Sequence, residues 1–468
     1  MLASFATMVW AGHEFTQPES VVAAQSMMLA HEGTLYYDLN RFPHTVCAYT
    51  PIFYCLEAAL SKFGIPVYPA GRLISFIALL GIFSLIWRLL MLYTKDAAYA
   101  WMGVLLAACT SLLLNWGTVA QVDTLAVFFS IAAFYQYSRY EIGGERTLLW
   151  AALFAVLAFF TKQTALACPA AIVVLLWLKQ RATSLRFAAG IAAAVVVVSL
   201  ALNTATHGAF LANTVFANMF PLAVEKLNQH VRYILIASGQ LILIVAVGAR
   251  KAVRGPARPL FIYLGLALSV LAVTSPKIGS DSNYQIEFTI LTILCACLSL
   301  YALGFYGFCR SRGKTWIALL QLPLAIYVLL NLRIFESVVA MRVVNEQQFR
   351  SQIAALERTI GRQGRVLSTE IDAMVHLRGR LEVEPLVYSM MVAAGRSDPK
   401  PLYHELIEAR FSDVVLYEDV HDRIRDRDPE IPTLPDAQIE AIREHYTLVE
   451  YIPGPYLNGI YVYKPVGR

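Results

Sequence analysis

The chain alternates long apolar runs with short polar connections between residues 69 and 333. A helix needs about 20 mostly apolar residues to cross about 30 Å of hydrocarbon. The runs therefore predict membrane-spanning helices, of which the fourth and fifth are short and lie close together. The predicted spans are 69–93, 97–114, 121–138, 147–161, 164–179, 187–206, 231–249, 258–275, 284–307 and 315–333.

A polar-to-amphipathic stretch precedes the first span. Thr16, Pro18 and Glu19 have the spacing of a capping box at the start of a helix, and Gly33 is a typical helix end. The apolar residues of this helix repeat on one face, which is typical of a helix that lies along a membrane surface. Residues 1–68 are therefore predicted to form a first extracytoplasmic loop with interfacial helices.

The pattern changes again after Arg333. The segments RVLST, DVVLY and NGIYVYKP are typical of short strands, and PLYHELIEARF and PDAQIEAIREHY are typical of helices. The fold class that follows is an all-α polytopic membrane bundle at 69–333 with a small C-terminal α/β domain at 334–468. That domain has no phosphate-binding glycine loop, metal-ligand spacing or nucleophile elbow, so we expect it to be a lid or an acceptor platform.

Composition supports the membrane class. Of the 468 residues, 57% are hydrophobic and only 15% are charged, whereas soluble domains carry about 25% charged residues. The net charge of +5 comes without any run of Lys and Arg, so nucleic acid is not an expected partner. Cys47 and Cys55 are the only candidates for a disulfide, and a reduced pair fits the sequence equally well.

Loop charge indicates which way the bundle faces. Basic residues concentrate in the loops that follow the first, third, fifth, seventh and ninth spans, and the positive-inside rule assigns these loops to the cytoplasm. Both ends of the chain and the other loops are then predicted on the extracytoplasmic side. The basic set is Lys95, Arg139, Arg146, Lys179, Arg181, Arg186, Arg250, Lys251, Arg254, Arg258, Arg310, Arg312 and Lys314.

Polar residues near the span ends gather on the predicted outer side. Ionisable groups at membrane depth are costly and usually line a cavity or pathway, so their gathering predicts one shared extracytoplasmic site. The set is Glu19, Asp38, His44, Asp123, Lys162, Gln163, His207, His230, Lys277, Asp281, Asn283 and Glu287.

Three of these residues have a structural interpretation beside the functional one. Glu19 could only cap its helix, and Asp123 lies in the first turn of a span, where the helix dipole favours a negative charge. Lys162 interrupts a long apolar stretch and could extend to the membrane surface. The functional alternatives are reactive carboxylates for the two acids, and for Lys162 an anion-binding ammonium with Gln163 and Thr164 as neighbouring donors.

The segment SPKIGSDSNYQIEF breaks the chain between two spans. Pro276 and Gly279 interrupt the backbone, and Asn283, Tyr284 and Glu287 then fall on one face of the next helix. An ordinary loop is the structural alternative, although a glutamate one turn into a span argues for a role. The single histidines of the neighbouring loops are more often structural than catalytic.

Several of these segments resemble one superfamily of membrane enzymes. PESVVAAQSMMLAHEGTLYYD followed by YTPIFY resembles the first extracytoplasmic loop of GT-C glycosyltransferases. The similarity is strongest to the bacterial RgtA/B/C/D-like group, related to protein O-mannosyltransferases and the lipid A aminoarabinose transferase. In that superfamily an acidic residue here, which is Glu19, is the proposed catalytic base. QVDTLAVFF is similar to the segment with the second acidic position, Asp123.

FFTKQTAL and KIGSDSNYQIE are also similar to segments of this group. The resemblance places Lys162, Lys277, Asn283 and Glu287 near a lipid-phosphate donor. It covers residues from 15 to about 333 and implies a glycosyltransferase that takes a sugar from a polyprenyl-phosphate donor at the outer membrane face.

The chemistry of such a transfer agrees with these residue types. A carboxylate can remove the proton of an acceptor hydroxyl, and fixed cations can stabilise the departing phosphate. We predict Glu19 and Asp123 as catalytic residues and direct displacement with inversion. The phosphate-binding set is Lys162, Lys277 and Arg232, and the substrate-binding set is Gln163, Asn283, Tyr284 and Glu287.

The chain departs from the resemblance in two places. Members of this group have a span before the first acidic loop, so a first span is expected to be missing here. No carboxylate occurs among Ala48 to Pro51, which makes a bound metal doubtful, and no cofactor is expected. The expected partners are a polyprenyl-phosphate sugar, a lipid, glycan or protein acceptor, and the bilayer. The expected location is the bacterial inner membrane.

The alternative function is a transporter or a lipid-linked-sugar flippase, and a non-catalytic membrane scaffold is a third. Transporters commonly contain internal repeats and place charges near the bilayer midplane. The sequence has no repeat, and its charges lie at span ends on one side.

Overall fold

The protein is described by a computed structural model. The basic loop predicted after the ninth span, with Arg310 and Arg312, lies outside the described residues. The first span that the resemblance leads us to expect also falls outside the described residues. The structure describes residues 8–144, 146–305, 314–361, 363–421, 433–454 and 459–467.

Helices dominate the first three quarters of the chain. Two short helices of the first loop precede a series of apolar helices whose bounds follow the predicted spans. They are α1 (Gln17–Glu32), α2 (Ile52–Lys62), α3 (Val67–Thr94), α4 (Ala97–Ala108), α5 (Ser111–Trp116), α6 (Val122–Gly143), α7 (Leu148–Thr161), α8 (Ala167–Lys179), α9 (Arg181–Ala205), α10 (Val224–Ala252), α11 (Arg258–Thr274), α12 (Ile286–Leu303) and α13 (Lys314–Thr359).

Every predicted span coincides with a helix of this series. Among the described residues, five helices are long and apolar enough to cross a membrane, and four more are apolar but shorter. The prediction of a polytopic bundle is confirmed. The second span differs from the prediction because its helix breaks at Cys109 and Thr110, where the Thr110 hydroxyl turns back to the Leu106 carbonyl.

Helix α12 lies at the centre of the bundle. Nearly all of its residues are buried, including Ile290, Leu294 and Cys297. It packs against α4, α10 and α11. Gly248 of α10 allows the closest approach, because a Cβ atom there would lie 2.3 Å from Ser299 Cβ. Small residues at such crossings are the usual means of close packing between membrane helices.

The C-terminal part is a small α/β unit, as predicted. Its strands form a four-stranded sheet in the order β1-β2-β4-β3, in which β1 and β2 are parallel and the other pairs are antiparallel. The sequence analysis missed strand β3. The elements are β1 (Val366–Ser368), α14 (Ile371–Leu377), α15 (Pro385–Ala393), α16 (Lys400–Ile407), β2 (Asp413–Leu416), α17 (Asp436–His445), β3 (Tyr446–Ile452) and β4 (Ile460–Pro465).

This C-terminal unit packs on the first loop. The Tyr68 hydroxyl donates to Asp372 at 2.5 Å, and the backbone of His44 pairs with that of Val383 in a β-bridge. Helix α1 lies between α2 and α14 and buries residues on several sides. It is therefore covered by protein, not only by a membrane surface as its pattern predicted.

Candidate active site

A buried ion pair joins two neighbouring helices at one end of the bundle. The Lys162 ammonium lies 2.5 Å from Asp123 Oδ1, and both side chains are buried. The Asn283 amide donates to the second oxygen, Oδ2, at 3.0 Å. Three residues that are far apart in the sequence therefore meet, as expected from the prediction that all three lie on the same side of the membrane.

Local sequence explains how this pair is placed. Asp123 is the second residue of α6, whose unpaired N-terminal amides and dipole favour a carboxylate. Helix α7 ends at Thr161, and Lys162 follows it with an extended backbone. The end of one helix thus meets the start of the previous one, which brings the opposite charges together.

The ion pair lines a cavity of about 50 Å³, which we call the ion-pair cavity. Glu287 also lines it and accepts a hydrogen bond from Tyr263. The remaining walls come from α6, the loop before α8, α11 and α12. They combine the hydroxyls of Ser130, Thr164 and Thr274 with the apolar residues Ala126, Val127, Ala165, Ala267, Val270, Leu271 and Phe288.

Tyr284 separates this cavity from a second one. Its ring centroid lies 4.0 Å from Lys162 Nζ, a cation-π distance. The second cavity, of about 110 Å³, contains Tyr49, Lys277 and residues of α1, and we call it the connecting cavity. Tyr284 lines both cavities.

Lys277 is held from two directions. Its ammonium donates to Asn218 and lies 4.7 Å from the centroid of the Phe220 ring. Its backbone pairs with Leu222 in a β-bridge between the two loops. Burial, followed by repulsion from Lys162, lowers the pKa of Lys277 to about 8. The site thus holds two ammonium groups near each other, an arrangement suited to an anion.

Gln163 supports the site through a loop and lines neither of the two cavities. Its amide donates to the carbonyls of Ala48 and Thr214, at 2.7 and 2.9 Å. Asn218 donates to the same Ala48 carbonyl at 2.9 Å. Gln163 therefore fixes the loop that carries Tyr49, and it does not line either cavity.

Glu19 has a different environment from Asp123. It forms a bidentate ion pair with Arg72, with Nε to Oε1 at 2.8 Å and Nη2 to Oε2 at 2.9 Å. The amides of Phe15 and Ala120 each donate to one of its oxygens at 2.7 Å. Neither side chain of the ion pair is exposed.

This geometry argues against the base role expected for Glu19. An ionised carboxylate accepts about four hydrogen bonds, and Glu19 already accepts four. Its neighbours Gln17, Pro18 and Val21 line the connecting cavity, whereas Glu19 lies on the other side of α1. Thr16 makes no capping bond, so the expected capping box is not formed either.

Arg72 organises the segment around Glu19. Beyond the ion pair it donates to the carbonyls of Met8, Ala11 and His13. Burial raises the pKa of the nearby Glu57 to about 8. The Ala120 amide belongs to the turn before α6, and Glu19 thereby holds the segment that presents Asp123.

The structure does not bring Arg232 to the site. The α10 residues Gln229, His230 and Tyr233 line a third cavity, and Arg232 is exposed on another side of the helix. Arg232 lies two positions, about 200°, from His230 around the helix, so both cannot face one cavity. The phosphate-binding role expected for Arg232 is therefore dropped.

Sequence reasoning missed Arg72, Tyr49 and Asn218. A signal existed for Arg72, because a single arginine in the first turns of a long apolar span requires a buried partner. Tyr49 and Asn218 carried no comparable signal. Among the described residues, no three His, Cys, Asp or Glu side chains are grouped to hold a metal.

Part of the chain is similar to a known protein family. Residues 52–206, about a third of the chain, match the family described as Dolichyl-phosphate-mannose-protein mannosyltransferase. That segment includes Asp123 and Lys162. No curated protein matches the chain.

Solved structures match over almost the whole chain. ArnT from Cupriavidus metallidurans bound to undecaprenyl phosphate has a TM-score of 0.67 at 12% identity, and covers 98% of this chain and 96% of its own. The apo state of the same protein gives 0.66 at 12% identity, with coverage of 98% and 96%.

Fold and site define a multi-pass integral membrane protein with the fold of ArnT. The resemblance to GT-C membrane glycosyltransferases is confirmed. The chain is similar to a mannosyltransferase family over residues 52–206, and it shares the fold of ArnT over nearly its whole length.

Proposed function

We propose that this chain transfers a hexose- or pentose-type sugar from a polyprenyl-phosphate donor to a hydroxyl or amine of its acceptor. The observation that carries the proposal is the Asp123–Lys162–Asn283 cluster, which lines a cavity of mixed polar and apolar lining between membrane helices. A lipid phosphate has the matching character, with an anionic head and an apolar chain. The undecaprenyl phosphate in the ArnT structure supports this donor class.

We assign the phosphate to Lys162 and Lys277. Two ammonium groups stabilise the negative charge that collects on the phosphate as its bond to the sugar breaks. Lys277 borders the connecting cavity, so a phosphate held between the two lysines directs its sugar into that cavity. Asn283 orients Asp123, while Tyr284 and Glu287 bound the donor.

We assign the base to Asp123 in place of Glu19. Asp123 accepts two hydrogen bonds, one on each oxygen, which fill two of its roughly four acceptor positions, and it lines the ion-pair cavity. The acceptor oxygen attacks the anomeric carbon, the bond from that carbon to the phosphate oxygen breaks, and Asp123 takes the proton. One displacement of this kind inverts the anomeric centre.

The proposal also places the protein in its membrane. The charged end of the bundle faces away from the cytoplasm in a bacterial inner membrane, because the basic loops lie at the opposite end. Residues 1–68, 69–333 and 334–468 are the proposed divisions of the chain, with the last as a cover over the first.

The test is Asp123→Asn in purified protein with a labelled polyprenyl-phosphate sugar. We expect release of polyprenyl phosphate to fall by about 10²- to 10⁴-fold, the contribution of a general base. Asp38→Asn removes an exposed carboxylate of the first loop and serves as the control. Undiminished release by Asp123→Asn would reject the assignment.

Retained binding of polyprenyl phosphate shows that Asp123→Asn is folded. If that variant does not fold, Asp123→Glu keeps the charge and moves the carboxylate, and we expect it to bind donor and transfer slowly. Transfer by Asp123→Glu at the rate of the parent would also reject the assignment.

A further inference from the structure

A third cavity lies beyond the connecting cavity and is larger than the other two. Its volume is about 480 Å³, within the range of small-molecule sites. We call it the polar cavity. It lies between the start of α1, the first turns of α10, the 279–282 loop and one residue of α15.

The polar cavity is next to the connecting cavity, because Gln17, Pro18, Gly279 and Leu386 line both of them. Tyr284 lies between the connecting cavity and the ion-pair cavity and lines both. The three cavities therefore form a series with the Asp123–Lys162 pair at one end and the polar cavity at the other.

One face of α10 supplies the wall of the polar cavity. Lys226, Gln229, His230 and Tyr233 lie at positions i, i+3, i+4 and i+7, which fall on the same side of a helix. Gln229 is exposed on this face. The spacing explains why four polar or amphipathic side chains point into one space.

A hydrogen-bond network fixes this wall. His230 Nδ1 is hydrogen-bonded to Gln285 Nε2 at 2.7 Å, and His230 Nε2 is hydrogen-bonded to Ser280 Oγ at 3.0 Å. The Ser280 hydroxyl donates to the Ser275 carbonyl at 2.6 Å. Both ring nitrogens of His230 are therefore held, and the wall is ordered before a ligand arrives.

The chemistry of the lining selects one class of ligand. Lys226 and Asp281 contribute opposite charges, and the other polar groups are amides, hydroxyls, an imidazole and a phenol. A phosphate-rich headgroup is bound by several arginines or lysines, and only one cation lines this cavity among the described residues. Sugar hydroxyls both donate and accept, which matches a mixed neutral lining.

One lining residue has an unmet hydrogen bond. The amide nitrogen of Gln17 is buried and has no partner among the described residues. Buried polar groups are normally paired, so an unpaired amide beside a cavity is consistent with a ligand that completes it. Gln17 borders both the polar and the connecting cavity.

We propose that the polar cavity binds the acceptor, and that the acceptor is an uncharged sugar residue of a glycan or glycolipid. This acceptor assignment rests on the proposed function, because the acceptor sugar supplies the hydroxyl that Asp123 deprotonates. The hydroxyl enters from the polar cavity, its oxygen bonds to the anomeric carbon, its proton passes to Asp123, and polyprenyl phosphate leaves.

The test uses Gln229→Ala in the full-length protein, with an alkyl glycoside as the neutral probe and an alkyl phosphate of equal chain length as the anionic one. We expect the alkyl glycoside to bind about 5- to 10-fold more weakly to this variant, as loss of one or two hydrogen bonds gives. We expect the affinity for polyprenyl phosphate to be unchanged. Asn228→Ala, one position away and outside the cavity lining, is the control and should bind as the parent does.

Two results would overturn the proposal. One is an alkyl glycoside affinity that Gln229→Ala leaves unchanged while polyprenyl phosphate still binds. The other is an alkyl glycoside that displaces polyprenyl phosphate, because it would then occupy the ion-pair cavity. Failure of polyprenyl phosphate to bind even the parent protein would instead overturn the proposed function, and the acceptor assignment with it.

Discussion

The buried pair of Glu19 and Arg72 gives the sharpest stability prediction. Arg72→Met removes the cation and leaves the Glu19 carboxylate in a position with no exposed side-chain surface. Loss of one partner of a buried ion pair costs about 3–5 kcal/mol. Folded proteins are stable by only about 5–15 kcal/mol, so this variant should be close to unfolding.

A double-mutant cycle separates the pair from other contacts of Arg72. Glu19→Gln keeps the side-chain volume and removes the charge, so the combined variant no longer buries an unpaired carboxylate. We expect the combined loss to be smaller than the sum of the two single losses by about 2–3 kcal/mol. Arg88→Met, an exposed arginine on the same helix α3, is the control and should change stability little.

The assay is the denaturant midpoint in detergent micelles, followed by the rate of sugar transfer. Glu19→Gln should retain substantially more transfer than Asp123→Asn, because Glu19 orients the turn before α6 and does not contact substrate. Additive losses in the cycle, or an Arg72→Met variant as stable as the parent, would refute the structural argument. Complete loss of transfer in a folded Glu19→Gln variant would restore Glu19 as the base.

Two further predictions concern packing and pH. Gly248→Ala should lower the free energy of unfolding by about 1–3 kcal/mol, because the added Cβ would lie 2.3 Å from Ser299. Thermal unfolding measures this loss. The control is Gly239→Ala, which should not lower the stability because no atom lies within 4 Å of its added Cβ. The kcat/KM for donor should fall as pH rises through about 8, because Lys277 is protonated below that pH and neutral above it. A series of kcat/KM measurements against pH records this decrease. Lys277→Arg should move the decrease to higher pH, and a decrease at the same pH in that variant would exclude Lys277 as its source.

The sequence predicted the bundle well because hydrophobic run length is a strong signal in membranes. The meeting of Asp123, Lys162 and Asn283 followed from the side on which each loop was predicted. The side of a helix on which a residue lies was harder to predict. Arg232 and Glu19 lie on the expected helices, but they face away from the cavities. Phase depends on which neighbours cover a helix, and a loop helix packed on several sides has no clear apolar face to reveal it.

The partners that buried charged side chains pair with could not be predicted from the sequence either. The sequence presented Glu19 and Asp123 as equivalent acids, and only their contacts distinguish them. One has four acceptor positions filled by Arg72 and two amides, and the other retains space toward a cavity. The side-chain bonds that Arg72, Lys162 and Asn283 make to these two acids join residues separated by 39 to 160 positions, so no local pattern records them.

The docking of the C-terminal unit has a consequence for biosynthesis. Leu386 closes part of the polar and connecting cavities whose opposite walls include Gln17 and Pro18. A nascent chain therefore inserts its membrane helices long before these walls can meet. Translation must proceed past α15 before these two cavities are complete, and ribosome-bound or prematurely terminated chains will span the bilayer without the wall that Leu386 supplies.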